Sequence, residues 1–170
     1  MSILTTTTAI TATAIVAAFG IGQITGPSVT TEIEIDAPAS AVWEQLADTD
    51  AYADWNPFVR QISGDLVTGT YLQVTVGADG SSKMDFTPEV LAADENQELR
   101  WVGRLGFKGI FDGEHYFILE ETDRGTTIFH HGENFTGVLG YPLIALIRED
   151  THKGFLAMNE ALKARVEAAS

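Results

Sequence analysis

One apolar stripe near the C-terminus constrains the fold of this chain more than any other feature. Between Pro142 and Ala168, Gly154 is the only glycine and no further proline occurs. Apolar or small side chains recur there every three or four residues, the period of one helix face; they are Leu143, Ile147, Thr151, Phe155, Met158, Leu162 and Val166. At ~1.5 Å per residue, the stretch predicts a helix about 40 Å long. In a chain of 170 residues, such a helix must lie across a whole sheet to bury its stripe.

The sequence before this helix is typical of a series of short strands. Ile33 and Ile35 alternate with Glu32 and Glu34, as in a strand with one face in solvent. Six further strand-like runs follow, separated by turn residues; they span residues 59–63, 70–76, 83–92, 98–104, 109–120 and 126–135. Successive strands with short connections favour an antiparallel meander over parallel βαβ units.

Two short helices are predicted between the first strand and this meander. Pro38 suits the first turn of a helix, and Val42, Trp43 and Leu46 recur at helical spacing. The second helix must end at Asn56, because a residue that precedes proline is disfavoured in the helical conformation.

Composition limits the classes of partner. The chain carries 24 Asp and Glu against 10 Lys and Arg, a net charge of −14. A surface of that sign repels phosphate backbones, so we expect no nucleic-acid binding. The absence of cysteine excludes disulfides, thiolate metal sites and a cysteine nucleophile. The length suits one domain with a real core, and we expect the protein in the cytoplasm.

The N-terminal segment differs from the rest of the chain in having no charged side chain before Glu32. Residues 9–24 form an apolar and threonine-rich run, shorter than the ~20 residues of a spanning helix. The segment also lacks the lysine or arginine that begins a signal peptide. We predict a leader over residues 1–27, either packed on the domain or in contact with a membrane through residues 9–24, followed by one domain over residues 28–170.

Short signatures in a fixed order cover residues 29–166; they are Asp36-Ala37-Pro38, Val42-Trp43, Asp54-Trp55-Asn56-Pro57, Phe111-Asp112-Gly113-Glu114-His115, Gly154-Phe155 and Met158-Asn159. In this order the chain resembles the START-like (SRPBCC) superfamily of polyketide cyclases, dehydrases and lipid-transport proteins. The resemblance implies an α+β helix-grip fold, in which a curved antiparallel sheet of about seven strands surrounds a long C-terminal helix, with two short helices after the first strand. It also implies an apolar cavity, a structural role for Trp55 at the helix–sheet corner and backbone hydrogen bonds for Asn56.

The interior is expected to be rich in aromatic residues, because side chains alternate across each strand. From the residues alone a solid core is the favoured interpretation, whereas the resemblance favours a ligand cavity of roughly 300–1,000 Å³. The ligand-binding candidates are Trp55, Phe58, Phe86, Trp101, Phe111, Phe117, Phe129, Phe135, Phe155 and Met158. Arg100 and Arg104 alternate with Trp101 and are expected to face outward as solvated charges.

Three polar residues, His115, His131 and Glu133, are predicted on faces that are otherwise apolar. A buried carboxylate needs a partner, so Glu133 should pair with a histidine, an arginine or water. The three are candidate catalytic residues, as an acid–base pair or an anchor for a ligand hydroxyl or carbonyl. The alternative is a satisfied polar pair that stabilises strand register. No metal site and no cofactor are expected, since His130 and His131 point to opposite faces of a strand.

The resemblance therefore implies a binding or carrier protein for a hydrophobic small molecule, such as a lipid, quinone or polyketide-like compound. The alternative is a cyclase, aromatase or dehydratase that uses the His/Glu pair, but binding is favoured over catalysis. A third class, a protein-binding adaptor, would require an exposed apolar patch.

Overall fold

The computed structural model of the chain describes residues 26–77 and 83–169. The predicted leader segment of residues 9–24 lies outside the described residues. The described part of the chain contains eight strands: β1 (Ser28–Ile35), β2 (Val59–Ser63), β3 (Gln73–Val76), β4 (Met84–Phe86), β5 (Glu89–Asp94), β6 (Glu98–Arg104), β7 (Asp112–Glu121) and β8 (Thr127–Thr136). The helices are α1 (Ala39–Ala47), α2 (Tyr52–Trp55) and α3 (Gly140–Ala169), with a 3-10 turn at Thr49–Ala51.

The strands form two antiparallel sheets that meet end to end. Five strands pair in the order β1-β8-β7-β6-β5, and three pair in the order β2-β3-β4. The sheets are joined where Tyr71 bridges Glu89, flanked by hydrogen bonds from Leu72 N to Pro88 O (2.9 Å) and from Val90 N to Thr70 O (2.9 Å). With the long helix α3 packed against β1 and β8, the expected α+β helix-grip fold is confirmed.

The strand predicted over residues 83–92 is divided into β4 and β5 at Thr87 and Pro88. Proline has no backbone N–H to donate to a ladder and tends to interrupt a central strand. The interruption lets the chain leave one sheet and enter the other. The short helix α2 ends at Trp55, as predicted, and Asn56 Oδ1 accepts hydrogen bonds from the backbone N–H of Phe58 (2.9 Å) and Val59 (2.8 Å), which confirms its expected role.

Helix α3 is slightly longer than predicted, about 45 Å at ~1.5 Å per residue. Near its start, Ile144 rather than Leu143 is buried, because it packs with Val29, Phe135 and Phe155. Further along the helix, Met158, Leu162 and Val166 of the stripe belong to a solid core between the helix and the inner face of the large sheet. No helix within the described residues is long and apolar enough to cross a membrane.

Gly154 lies in the middle of α3 under the ring of Phe58. A Cβ atom at position 154 would overlap ring atoms of Phe58. Phe58 in turn contacts Phe155 edge-on, with ring centroids 5.5 Å apart. The missing side chain at position 154 therefore makes room for the Phe58 ring.

Gly154→Ala should lower the free energy of unfolding, although alanine is normally about 1 kcal/mol better than glycine inside a helix. The new methyl group overlaps Phe58, and overpacking of this kind typically costs about 1–3 kcal/mol. Urea unfolding of Gly154→Ala, Phe58→Leu and the double variant tests the coupling, because the loss should shrink once Phe58 is shortened. A Gly154→Ala protein that is more stable than wild type would contradict this account.

Candidate ligand-binding cavity

A cavity of about 610 Å³ lies between α3 and the two sheets, within the usual range for small-molecule sites. Five of the predicted ligand-binding residues line it, namely Phe58, Phe86, Trp101, Phe111 and Phe135, together with His115 and Glu133. The sequence did not single out its aliphatic and polar lining residues; these include Val59, Val74, Val76, Met84, Leu105, Ile147, Asp150, Thr151 and Lys153. Most of the lining is apolar, with a few polar groups among it.

The other five predicted ligand-binding residues do not line the cavity. Phe117, Phe129, Phe155 and Met158 are fully buried in the packed interior. Trp55 is half-buried at the edge of the main core and packs on Tyr52, with ring centroids 5.1 Å apart. Sequence periodicity indicates which side of an element is buried, but not whether that side meets the packed core or the cavity. The helix residues that line the cavity, Ile147, Asp150, Thr151 and Lys153, all precede Gly154.

Arg100 and Arg104 were both expected to face outward, and carboxylates hold both side chains. Arg100 pairs with Glu98 and Glu114 and lies over the Tyr116 ring, 4.9 Å from its centroid. Arg104 is among the residues that line the cavity, and its Nη1 donates to Glu89 Oε2 at 2.9 Å. Glu89 lies opposite Val102 on β6, so the register places this pair on the face opposite to Trp101.

His115 is the polar residue at the centre of the cavity wall. In the sheet it lies directly opposite Glu133 on β8 and Trp101 on β6, so all three side chains share one face. The Trp101 and His115 rings are stacked with centroids 4.9 Å apart and planes 2° apart. His115 Nδ1 is 3.7 Å from Glu133 Oε2. A Cβ at Gly113 would overlap Glu133 Oε1, so this glycine makes room for the carboxylate.

A chain of polar groups leads from His115 into the interior. His115 Nε2 is 3.1 Å from His131 Nε2, and His131 Nδ1 is 2.8 Å from Asn159 Oδ1 on α3. Asn159 Nδ2 donates to Thr31 Oγ1 (3.0 Å), and Thr31 Oγ1 donates to the His131 carbonyl oxygen (3.3 Å). Local sequence patterns do not indicate that Asn159 and Thr31 are partners. The one feature of the sequence that could have indicated Asn159 is the position of its amide beside Met158, at the border of the apolar stripe.

The three predicted polar residues, His115, His131 and Glu133, therefore lie close together but in different environments. His115 and Glu133 line the cavity, whereas His131 is 0% exposed and lies behind His115. Burial is the main cause that holds the pKa of His131 well below its ordinary value of 6.5, and the nearby His115 lowers it further, against the opposing effect of the Asn159 hydrogen bond. Within residues 26–77 and 83–169, no three His, Asp or Glu side chains converge as metal ligands.

The family model for polyketide cyclase/dehydrase and lipid transport matches residues 26–167. The chain belongs to this family. The comparison with curated proteins found no match.

Solved structures that resemble this family member share its fold. A protein from Thermus thermophilus, TTHA0849, is 21% identical, with a TM-score of 0.65 over 85% of this chain and 99% of the other. A START superfamily protein from Mycobacterium smegmatis is 19% identical, with a TM-score of 0.62 over 84% and 99%. The Zhui aromatase/cyclase from Streptomyces sp. R1128 is 18% identical, with a TM-score of 0.62 over 83% and 93%. At these identities the likeness shows the fold alone.

The lowered pKa of His131 predicts a loss of stability in acid. As the pH falls below 6.5, the unfolded chain takes up a proton on this histidine while the folded protein does not, so the free energy of unfolding should fall. One such proton corresponds to about 1.4 kcal/mol per pH unit. The free energy of unfolding, measured in urea between about pH 5 and pH 7, should therefore rise with pH in wild type. In His131→Phe this rise should be smaller, by up to the amount that one proton contributes.

His152→Gln provides the matched control, because His152 is exposed on α3 and its removal should leave the slope unchanged. An unchanged slope in His131→Phe would show that His131 does not remain neutral in the folded protein.

Proposed function

We propose that this protein binds a hydrophobic small molecule in the cavity between α3 and the sheets, as a carrier or ligand-binding protein. The observation that carries the proposal is the 610 Å³ cavity lined by Phe58, Phe86, Trp101, Phe111 and Phe135. Transfer of apolar ligand surface from water into such a lining contributes about 25 cal/mol per Å². The family's description as polyketide cyclase/dehydrase and lipid transport supports a lipid, quinone or polyketide-like ligand.

Exposed apolar side chains near the cavity suit the passage of such a ligand. Met84 and Leu105 line the cavity and are 51% and 56% exposed. The loop that begins at Leu105 contacts the start of α3 through the hydrogen bonds of Val138 N to Gly109 O and Leu139 N to Ile110 O. This region adds further exposed apolar residues, namely Phe107, Val138, Leu139 and Tyr141. An adaptor protein would also need a patch of this kind, but the cavity beside it favours the ligand-binding function.

A second candidate function is acid–base catalysis on a bound substrate, the cyclase, aromatase or dehydratase alternative. The observation that favours it is the position of His115 and Glu133, adjacent to each other on the cavity wall. A histidine and a carboxylate in this arrangement can exchange a proton with a substrate carbonyl or hydroxyl. Binding is the function we prefer, because the apolar volume alone suffices for it.

Gly103→Leu should abolish ligand binding while preserving the fold. Gly103 lines the cavity, and a Cβ there would meet only the Phe86 ring, at 3.9 Å, so a leucine would occupy open volume. Nile red, a neutral dye that fluoresces in apolar sites, should bind the wild type and fail to bind the variant. Ala157→Leu, which adds the same bulk on the exposed side of α3, should bind the dye normally. Equal binding by a folded Gly103→Leu protein would place the ligand elsewhere.

Glu133→Gln separates the two candidate functions, since it keeps the shape of the side chain and removes the base. For a carrier, the change should alter ligand affinity modestly and leave stability nearly unchanged, because Glu133 Oε2 lies 3.7 Å from His115 Nδ1, too far for a hydrogen bond that the change could remove. For an enzyme, it should lower turnover by roughly 10²–10⁴ with little change in substrate binding. Turnover of aromatic polyketide or lipid-like substrates, followed by mass spectrometry, is the measurement. Absence of turnover in wild type would remove the catalytic alternative.

A further inference from the structure

The hydrogen bonds behind His115 have a defined direction. Thr31 has one hydroxyl proton and donates it to the His131 carbonyl, so its oxygen accepts from Asn159 Nδ2. The Asn159 amide is thereby oriented with Oδ1 towards His131 Nδ1. An amide oxygen only accepts hydrogen bonds. His131 therefore carries a proton on Nδ1.

The proton on His131 Nδ1 determines which nitrogen of His115 can accept a hydrogen bond. His131 is fully buried and neutral. With its single proton on Nδ1, its Nε2 has an unshared lone pair. That lone pair accepts from His115 Nε2 at 3.1 Å, which requires the proton of His115 to be on Nε2. With a single ring proton, held on Nε2, His115 presents an unprotonated Nδ1 on the side of Glu133. The tautomer of the cavity histidine is thus controlled from helix α3.

The cavity wall consequently places two hydrogen-bond acceptors beside each other. His115 Nδ1 and Glu133 Oε2 are 3.7 Å apart, too far for a hydrogen bond between them but close enough for one donor to reach both. The cationic lining groups are engaged by other carboxylates, Arg104 by Glu89 and Lys153 by Glu149. The remaining charged lining residue, Asp150, is an acceptor as well. Trp101 stacks on His115 and extends a flat aromatic surface from the pair.

We infer that the cavity selects aromatic or conjugated ligands that carry a hydroxyl donor, of the phenol or enol class, whose O–H is received by His115 Nδ1 and Glu133. This selectivity rests on the proposed ligand-binding function and adds a ligand class to it. Asn159 and His131 act as positioning residues, since they touch no ligand and determine only the His115 tautomer. A methyl ether of the same ring system fits the same apolar volume but has no proton to donate, so the protein should discriminate against it.

The test compares 2-naphthol with 2-methoxynaphthalene as competitors of bound Nile red, at about pH 8, above the ordinary histidine pKa. In wild type, 2-naphthol should bind about tenfold more tightly than its methyl ether, the ratio that one good hydrogen bond supplies. The double variant His131→Phe/Asn159→Leu replaces both buried partners with apolar groups, which disturbs a fold far less than removing one of them. A phenylalanine at position 131 can keep the stacking on Phe155, whose ring centroid is 3.8 Å from that of His131.

In the double variant, His115 loses the acceptor for its Nε2 proton and should move the proton to Nδ1, towards Glu133. The preference for 2-naphthol should fall well below tenfold, because Glu133 is then the only one of the two acceptors that remains, while binding of the methyl ether is retained. His152→Phe, an exposed change on α3, should leave the ratio near tenfold. Nitrogen-15 spectra of the imidazole rings provide a second readout that does not depend on the variant, because wild type should show His115 protonated at Nε2 and His131 at Nδ1.

The outcomes distinguish this inference from the proposed function. If wild type binds Nile red but binds both naphthalenes equally or neither, or if His115 carries its proton on Nδ1, the inference is overturned and ligand binding stands. An undiminished preference for 2-naphthol in a folded double variant would overturn the positioning role. If Nile red does not bind wild type, the proposed function itself fails.

Discussion

The contact of α3 with the sheets is the constraint on which the rest of this structure depends. This helix of thirty residues has different surroundings along its two halves. Its C-terminal half packs on the solid core through Met158, Leu162 and Val166. Its N-terminal half, from Ile147 to Lys153, instead covers an open volume. The change from core to cavity occurs near Gly154, where the helix backbone approaches Phe58.

The polar chain from Thr31 to Glu133 lies at this boundary. Buried polar groups are destabilising unless they are hydrogen-bonded, and a network that is satisfied throughout can hold elements in one arrangement. Here the partners come from β1, β7, β8 and α3, so the network joins the helix to the sheet at the place where apolar packing ends. The same groups that satisfy one another in the interior leave His115 and Glu133 as the polar features of the cavity wall.

The fold does not by itself distinguish a carrier from an enzyme. Structures with the same architecture include a START superfamily protein and an aromatase/cyclase, each less than 25% identical to this chain. Function in such containers depends on the chemistry of the lining rather than on the sheet and helix. In this chain the lining combines aromatic walls with two adjacent acceptors, and it is these residues that the binding and turnover measurements address.

From the sequence alone, hydrophobic periodicity indicated the long C-terminal helix and the series of antiparallel strands, because it reports which side of an element is buried. It therefore placed His115, His131 and Glu133 on inner faces correctly. Periodicity does not report strand register, sheet curvature or depth below the helix. For that reason only the tertiary structure separated the cavity residues Phe86 and Trp101 from core residues such as Phe117 and Met158.

The partners of the polar residues were also decided by the tertiary structure. Asn159 and Thr31 are 128 positions apart in the chain, and nothing in either local pattern indicates their contact. The strand expected over residues 83–92 is divided at Thr87 and Pro88, where the chain passes from one sheet to the other. Local sequence sets the direction of a side chain within an element. Which groups meet depends on how the elements pair and pack, a property of the whole chain.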